Sequence, residues 1–388
     1  MAKAMQRARI GRALLALCGH RADEAEGLTE AEWACLDEMA EEHRLRPYLH
    51  GRMTRGEIGD IPATVAANWQ ASHRRNGIVV LAQRRALAQA VAALGEQGIG
   101  AVALKGSALA WTVYPAPAER EMRDIDLLVA EANAPGAYTA LQAAGWQAPA
   151  LGESELRDFA QTETHFPPLT SPERVVCELH AHAWGRPPLP GSPMPKRDDA
   201  GMLGNARHSE ALGAAIPSGQ DMLAHLVVHA ACSHLLNVGP QALIDIDLWS
   251  ARKPVDWPAF WERAKRDGFD RPAALVFALV ERWRRLGFLA ETGCPHEVSP
   301  EILDEAELLL VQDLGQRKDV SVIASLSVAN LAGRTAQHPL DRASTRESVI
   351  GRFGQLAGRA ASLSKSLLSP GTRRDGRATA RLQKWMDG

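Results

Sequence analysis

The stretch 104-LKGSALAWTVYPAPAEREMRDIDLLV-129 runs from a glycine turn to an apolar segment headed by two carboxylates, Asp124 and Asp126. The apolar residues Ile125, Leu127, Leu128 and Val129 read as a strand buried in a sheet. Such a strand avoids ionised carboxylates, because an unpaired charge in low dielectric costs several kcal/mol or takes up a proton. Side chains alternate along a strand, so Asp124 and Asp126 share one face. Two readings follow. Either arginines such as Arg120 and Arg123 neutralise the pair, or a cation sits between the two carboxylates.

The segments on either side favour the cation. Upstream, "IGAVALKG" is short, apolar and bounded by glycines, as a buried strand is. Gly106 lets the backbone approach closely at the turn that follows. Ser107 opens a helix expected over 107–114, where amides and a hydroxyl can hold phosphate. Downstream, "PGAYTALQAAGW" predicts a helix ending at Gly145, and "THFPPLTSPERVVCELHAHAW" predicts two strands joined by a turn. Alternation along the second of these puts Val176, Glu178, His180 and His182 on one face. Glu178 is then a third carboxylate from a neighbouring strand. A divalent ion that accepts hard oxygen ligands, Mg²⁺ or Mn²⁺, removes the repulsion among the three.

Residues 1–95 predict helices. Thr29 and Glu32 form a capping box, and Trp33, Leu36, Met39 and Ala40 follow at helical spacing. Residues 211–345 predict helices again, so the class is α+β, with a sheet core at 96–210 between two helical regions. Residues 346–388 hold nine Lys or Arg against three Asp or Glu, a basic tail of about +6. The whole chain of 388 residues carries a net charge of only −2, which offers no general reason to bind nucleic acid or membrane. Nucleic-acid contact through the tail therefore ranks below a solvated end. The five scattered cysteines contain no C-x-x-C pair, against both a disulfide framework and a structural zinc site. No uninterrupted apolar run reaches the ~18–20 residues of a membrane span. Arg9 and Arg12 interrupt the N-terminal pattern, which predicts an amphipathic helix in place of a signal peptide. A cytoplasmic protein is expected.

Three other features are given blander readings. His225 and His229 lie four apart on a helix, but the metalloprotease pattern H-E-x-x-H requires Glu where Leu226 stands. They are expected in the core or lining a cleft. Asp245 and Asp247 repeat the Asp-x-Asp spacing in a helical context, where side chains two apart diverge. Asp245 is therefore expected to be structural or at a cleft rim, without metal. Trp257 and Trp261 are expected to pack.

The glycine turn, the Asp-x-Asp strand and the further acidic strand resemble the nucleotidyltransferase superfamily with a DNA polymerase β type of core. More narrowly, the chain is similar to the bacterial uncharacterised nucleotidyltransferase family. "LKG" (104–106), "RDIDLLV" (123–129), "ELH" (178–180) and the helical "HLVVHA…LIDIDLW…DW" (225–257) carry the likeness over roughly residues 15–340. The resemblance implies a mixed sheet in the core, with Asp124, Asp126 and Glu178 as catalytic and metal-ligating groups. It places Gly106 and Ser107 at the phosphates, with Lys105, Arg123 and His180 beside them. Lys105 and Arg123 could equally pair with neighbouring carboxylates. The implied reaction is a Mg²⁺- or Mn²⁺-dependent transfer of a nucleoside monophosphate from an NTP, ATP or GTP, to an acceptor hydroxyl. The acceptor would be a peptide (a ribosomal peptide among them), a protein or a small molecule, and pyrophosphate would leave. Two alternatives remain open: an Asp-x-Asp glycosyltransferase using a nucleotide sugar, and a catalytically inactive fold serving as a binding module. The first would need a nucleotide-binding α/β half ahead of residue 96.

Overall fold

Six strands form one mixed sheet in the order β3-β4-β2-β1-β6-β5. They are β1 (Ala101–Leu104), β2 (Asp124–Val129), β3 (Leu169–Thr170), β4 (Val176–His180), β5 (Arg207–Ser209) and β6 (Ala214–Ile216). β1 runs antiparallel to β2, with Leu104 opposite Asp126, while β2 and β4 are parallel, with Asp126 opposite Glu178. The computed structural model describes residues 2–185, 194–313 and 370–388. Expectations for 314–345 and for the first part of the basic tail, 346–369, fall outside the described residues.

Helices flank the sheet, as expected for an α+β chain. Ahead of it come α1 (Ala2–Leu17), α2 (Glu30–Glu42), α3 (Arg46–Thr54) and α4 (Ala63–Glu96). Among the strands and their connections lie α5 (Lys105–Thr112), α6 (Ala134–Ala143), α7 (Glu153–Thr162) and α8 (Asp199–Gly204). After the sheet come α9 (Gly219–Val227), α10 (Gln241–Arg252), α11 (Trp257–Asp267), α12 (Asp270–Trp283), α13 (Phe288–Thr292), α14 (Pro300–Leu310) and α15 (Pro370–Asp387). No nucleotide-binding α/β half precedes β1, since the described residues 2–100 form only helices and their connections. That removes the main structural requirement of the glycosyltransferase alternative.

Local chemistry accounts for most of the boundaries. α2 begins with the reciprocal Thr29–Glu32 capping box and buries Trp33, Leu36, Met39 and Ala40. α4 ends just before Gly98, whose φ of 69° reverses the chain into β1. Trp257 and Trp261 pack with Phe260, Phe277 and Phe288 in an apolar cluster. α15, the described part of the tail, lies against α12 and α14 and exposes Arg374, Arg377, Arg381 and Lys384, with Arg381 paired to Glu305.

Three features differ from the sequence expectation. The hairpin β5–β6 adds two three-residue strands, and β6 pairs in parallel with β1. The helical pattern expected over 211–345 is interrupted: α9 passes into a π-helical turn at Val228–Ser233, followed by Leu235 and Leu236 at positive φ. α4, at 34 residues, is long and apolar enough to cross a membrane by length and composition alone. Counting uninterrupted apolar runs hides it, because arginines punctuate the helix. Here α4 packs against α3 and α6 and buries Trp69, Asn76 and Gln83 along one side.

Candidate functional site

The register of β2 and β4 brings the acidic groups together. Asp126 faces Glu178 across the two strands, and Leu128 faces His180. The alternate residues Asp124 and Asp126 on β2 and Glu178 and His180 on β4 therefore project from one face of the sheet. One oxygen each of Asp126 and Glu178 and one ring nitrogen of His180 lie within 4.8 Å of one another. His180 Nε2 is 3.0 Å from Asp126 Oδ1 and 3.6 Å from Glu178 Oε2. Lys105 Nζ donates to the same Asp126 oxygen at 2.7 Å. Asp126 and His180 are buried, whereas Asp124 and Glu178 are half-buried. All of these line a cavity of about 410 Å³, within the usual size of small-molecule sites.

The electrostatics divide the carboxylates into two kinds. Burial would raise the pKa of Asp126, but Lys105 and His180 outweigh it and hold this carboxyl far below the ordinary range. The imidazole of His180, 3.6 Å away, likewise lowers the pKa of Glu178 against its partial burial. Asp124 goes the other way: burial first, then the charges of Asp126 and Glu178, push its pKa up. Among the described residues Asp124 forms no ion pair. His180 is raised because Asp126 and Glu178 overcome burial and the nearby ammonium of Lys105. Three carboxylates thus meet one lysine and one imidazole, and the least neutralised of them faces open space. The group close enough to hold a metal ion is Asp126, Glu178 and His180, so His180 stands where Asp124 was expected.

The remaining predicted residues take distinct positions. Gly106 lines the cavity, and a Cβ there would lie 2.1 Å from Arg120 Nη1 and 2.6 Å from Met122 Sδ. Its lack of a side chain therefore serves the close passage of Arg120. Ser107 is buried, and its hydroxyl accepts a hydrogen bond from the Asp126 amide at 3.1 Å. It fixes the strand that carries Asp126 and does not itself line the cavity. Arg123 is exposed at the cavity and forms no ion pair among the described residues. Neither Arg120 nor Arg123 neutralises the acidic pair: Arg120 grips Asp245 through Nε at 2.9 Å and Nη2 at 2.6 Å. Tyr114 adds its hydroxyl to Asp245 at 2.6 Å, so Asp245 is a satisfied structural carboxylate at the cavity rim.

The π-helical turn forms the facing wall. His229 and His234 line the cavity with their rings 4.4 Å apart, and the buried His225 stacks behind His229 at 6.1 Å. Burial drives the pKa of His225 down to about 3 and that of His229 well below the ordinary value. Both sit where a core or cleft-lining reading puts them. His182 turns toward Asp199, with Nδ1 3.0 Å from its Oδ2. His165, which the periodicity did not single out, lines the cavity 4.0 Å from Glu178.

One lining residue comes from outside the sheet entirely. Arg44, on the α2–α3 connection, reaches the cavity, and its backbone stands at φ 60°. Lys105 is also left-handed, at φ 43°. Such a conformation costs an L-residue roughly 1–2 kcal/mol and is expected of glycine. Two of the six non-glycine residues at positive φ among those described thus line one cavity, and Leu235 and Leu236 lie in the loop that forms its wall. Strain of this kind concentrates at working sites. Nothing in the hydrophobic pattern of the sequence marks Arg44, since its approach is a long-range contact.

The family model described as "Uncharacterised nucleotidyltransferase" matches residues 29–285, from the N-cap of α2 to just past the end of α12. No curated protein matches the chain.

Proposed function

The chain belongs to the family of uncharacterised nucleotidyltransferases, and from that premise we propose that it moves a nucleoside monophosphate from an NTP to an acceptor hydroxyl. The acceptor is a hydroxyl on a peptide, a protein or a small molecule. The observation that carries this reading is the convergence of Asp124, Asp126 and Glu178 on one cavity, with Asp124 left without a cationic partner among the described residues.

The acceptor oxygen attacks the α-phosphorus, the bond from that phosphorus to the bridging oxygen breaks, and pyrophosphate leaves with the electron pair. Asp124, Asp126 and Glu178 would hold Mg²⁺ or Mn²⁺, which when bound lowers the pKa of the attacking hydroxyl and offsets charge on the phosphates. The residues of the chain supply the rest. Lys105 and His180 keep Asp126 ionised and fix its direction, as second partners of a ligand do. Ser107 pins the Asp126 amide and so the position of the strand. Glu178, held ionised by His180, is placed to accept the proton of the acceptor hydroxyl. His229 and His234 line the same cavity and would bound the acceptor. A cytoplasmic location, where nucleoside triphosphates are at hand, belongs to the same reading.

Incubation with α-³²P-labelled ATP or GTP, Mn²⁺ and a cell lysate tests it. Label should pass to a peptide, protein or small-molecule fraction with the wild-type chain and stay with the nucleotide in Asp124→Asn/Asp126→Asn. Label that never leaves the nucleotide in any fraction defeats the proposal. One observation favours a second reading, an inactive fold that binds nucleotide: Lys105 and His180 already occupy the same oxygen of Asp126. Nucleotide binding by calorimetry without any transfer would select it.

A further inference from the structure

The cavity also holds basic residues that the acidic group does not neutralise. Arg44 and Arg123 both line it, and among the described residues neither forms an ion pair. Arg44 Nε is buried with no hydrogen-bond partner. A buried guanidinium edge without an acceptor is costly, and native chains seldom leave one without a reason. Its neighbours make the cost larger. Burial, then the like charges of Arg123 and Arg120, push the pKa of Arg44 down to about 10. Arg120 is neutralised by Asp245, so the surplus positive charge rests on Arg44 and Arg123. Glu121 and Asp124 attract Arg44 without pairing to it.

The backbone beneath Arg44 adds an independent observation. α2 closes with two reverse hydrogen bonds, Leu45 N to Ala40 O at 2.7 Å and Arg44 N to Glu41 O at 3.0 Å. This is the left-handed helix ending whose turning residue is ordinarily glycine. Here Arg44 takes that place at φ 60°. A glycine would close the helix with less strain, so the side chain itself must be what the position requires. Next to it, the ring of His43 packs on Gly239, where an added Cβ would lie 2.8 Å from Nδ1. The end of α2 is thereby held against the loop that forms the far wall of the cavity.

We propose that Arg44 and Arg123 form an anion subsite that takes the β- and γ-phosphates of the nucleoside triphosphate, which makes the N-terminal helices a working wall of the site. The inference rests on the nucleotidyltransferase reading and deepens it. Planar guanidinium forks suit phosphate oxygens, and two of them can match the charge that develops on departing pyrophosphate. Asp124, Asp126 and Glu178 line the same cavity, so one triphosphate can meet both the acidic group and the arginines.

Calorimetric titration with inorganic tripolyphosphate in excess Mg²⁺, with orthophosphate as the comparison, tests the subsite. The wild type should bind tripolyphosphate more tightly than orthophosphate. Arg44→Gly should weaken tripolyphosphate at least about tenfold, with a melting temperature equal to or above that of wild type because the strained residue is gone. Arg44→Lys should keep part of the affinity, Arg123→Ala should lose it as Arg44→Gly does, and Arg157→Ala, on α7 away from the cavity, should change nothing. Absence of tripolyphosphate binding by the wild type, unchanged affinity in Arg44→Gly, or an equal loss in Arg157→Ala each overturns the subsite. The two readings fail separately. An Arg44-dependent tripolyphosphate site with no labelled product removes the transferase and leaves the subsite; labelled transfer with an unchanged KM for NTP in Arg44→Gly does the reverse.

Discussion

The tetrapeptide Asp-Ile-Asp-Leu occurs twice in this chain, at 124–127 on β2 and at 245–248 on α10, and the two copies meet opposite fates. On the strand, residues two apart point the same way, so Asp124 and Asp126 crowd together and add Glu178 from the next strand. On the helix, residues two apart are turned about 200° from one another. Asp245 therefore meets Arg120 and Tyr114, while Asp247 meets Arg284 at 2.9 Å and Arg285 at 3.2 Å. Each helical carboxylate is paired with arginine; on the strand one lysine and one histidine both serve Asp126, and Asp124 forms no ion pair among the described residues. An identical motif is chemistry in one backbone and scaffolding in the other. What separates them is leftover charge facing a cavity.

The comparison breaks if the two pairs respond alike to mutation. Asp126→Asn should lower nucleotidyl transfer roughly 10⁴-fold, about 5 kcal/mol of barrier, because a ligand of the cation is lost. Asp124→Asn should lower transfer similarly while raising the melting temperature, since it removes a carboxyl that its neighbours repel. The helical pair should show the reverse. Asp245→Ala leaves Arg120 buried without its partner and should cost about 3–5 kcal/mol in urea unfolding. Replacing Arg120 and Asp245 together by leucines should cost less than the sum of the two single changes. A transfer defect in Asp245→Ala larger than its loss of folded protein would erase the distinction.

How far this was readable in advance follows from the range of each interaction. β2, β4 and the shared face of Asp124, Asp126 and Glu178 come from period-two alternation, which acts over a few residues. The divergence of Asp245 and Asp247 follows just as directly from helical spacing. The capping box at Thr29 and the turn at Gly98 are likewise local. β5 and β6 are too short to show alternation, and β6 exists because β1 offers it an edge more than one hundred residues away in sequence. The π-helical turn inserts its extra backbone length without disturbing the apolar pattern, so nothing in the helical reading of 211–345 marks it. Ser107 lies where a phosphate-binding hydroxyl was expected, but the tertiary contact with the Asp126 amide decides what its oxygen does. Arg44 is the extreme case. Its role depends on a helix end meeting a cavity built some sixty to two hundred residues downstream, and no local rule reports that.

Metal binding sharpens the contrast with a smaller effect. Mn²⁺ at one hundred times its Kd should stabilise the wild type by about 2.7 kcal/mol, because only the folded chain assembles Asp126, Glu178 and His180. Thermal melts with and without the ion should show that gain vanish in Asp126→Asn and persist in Asp247→Asn. Equal gains in both variants would mean that the ion binds elsewhere.

The last contrast concerns acid. The helical carboxylates face arginines, whereas the cavity of the strand pair is backed by buried histidines. In the folded chain burial lowers the pKa of His225 from 6.5 to about 3. Below pH 6.5 the unfolded chain takes up this proton and the folded chain does not until about pH 3. Stability from His225 is therefore complete above 6.5 and is lost as the pH falls toward 3, with a slope of about 1.4 kcal/mol per pH unit. His229, also held neutral by burial, adds to the same limb. His225→Leu removes the titrating group from an apolar setting beside Trp184, so unfolding measured between pH 6.5 and 4 should flatten by about that slope. If the acid limb keeps its full steepness in His225→Leu, the buried imidazole does not carry this proton linkage.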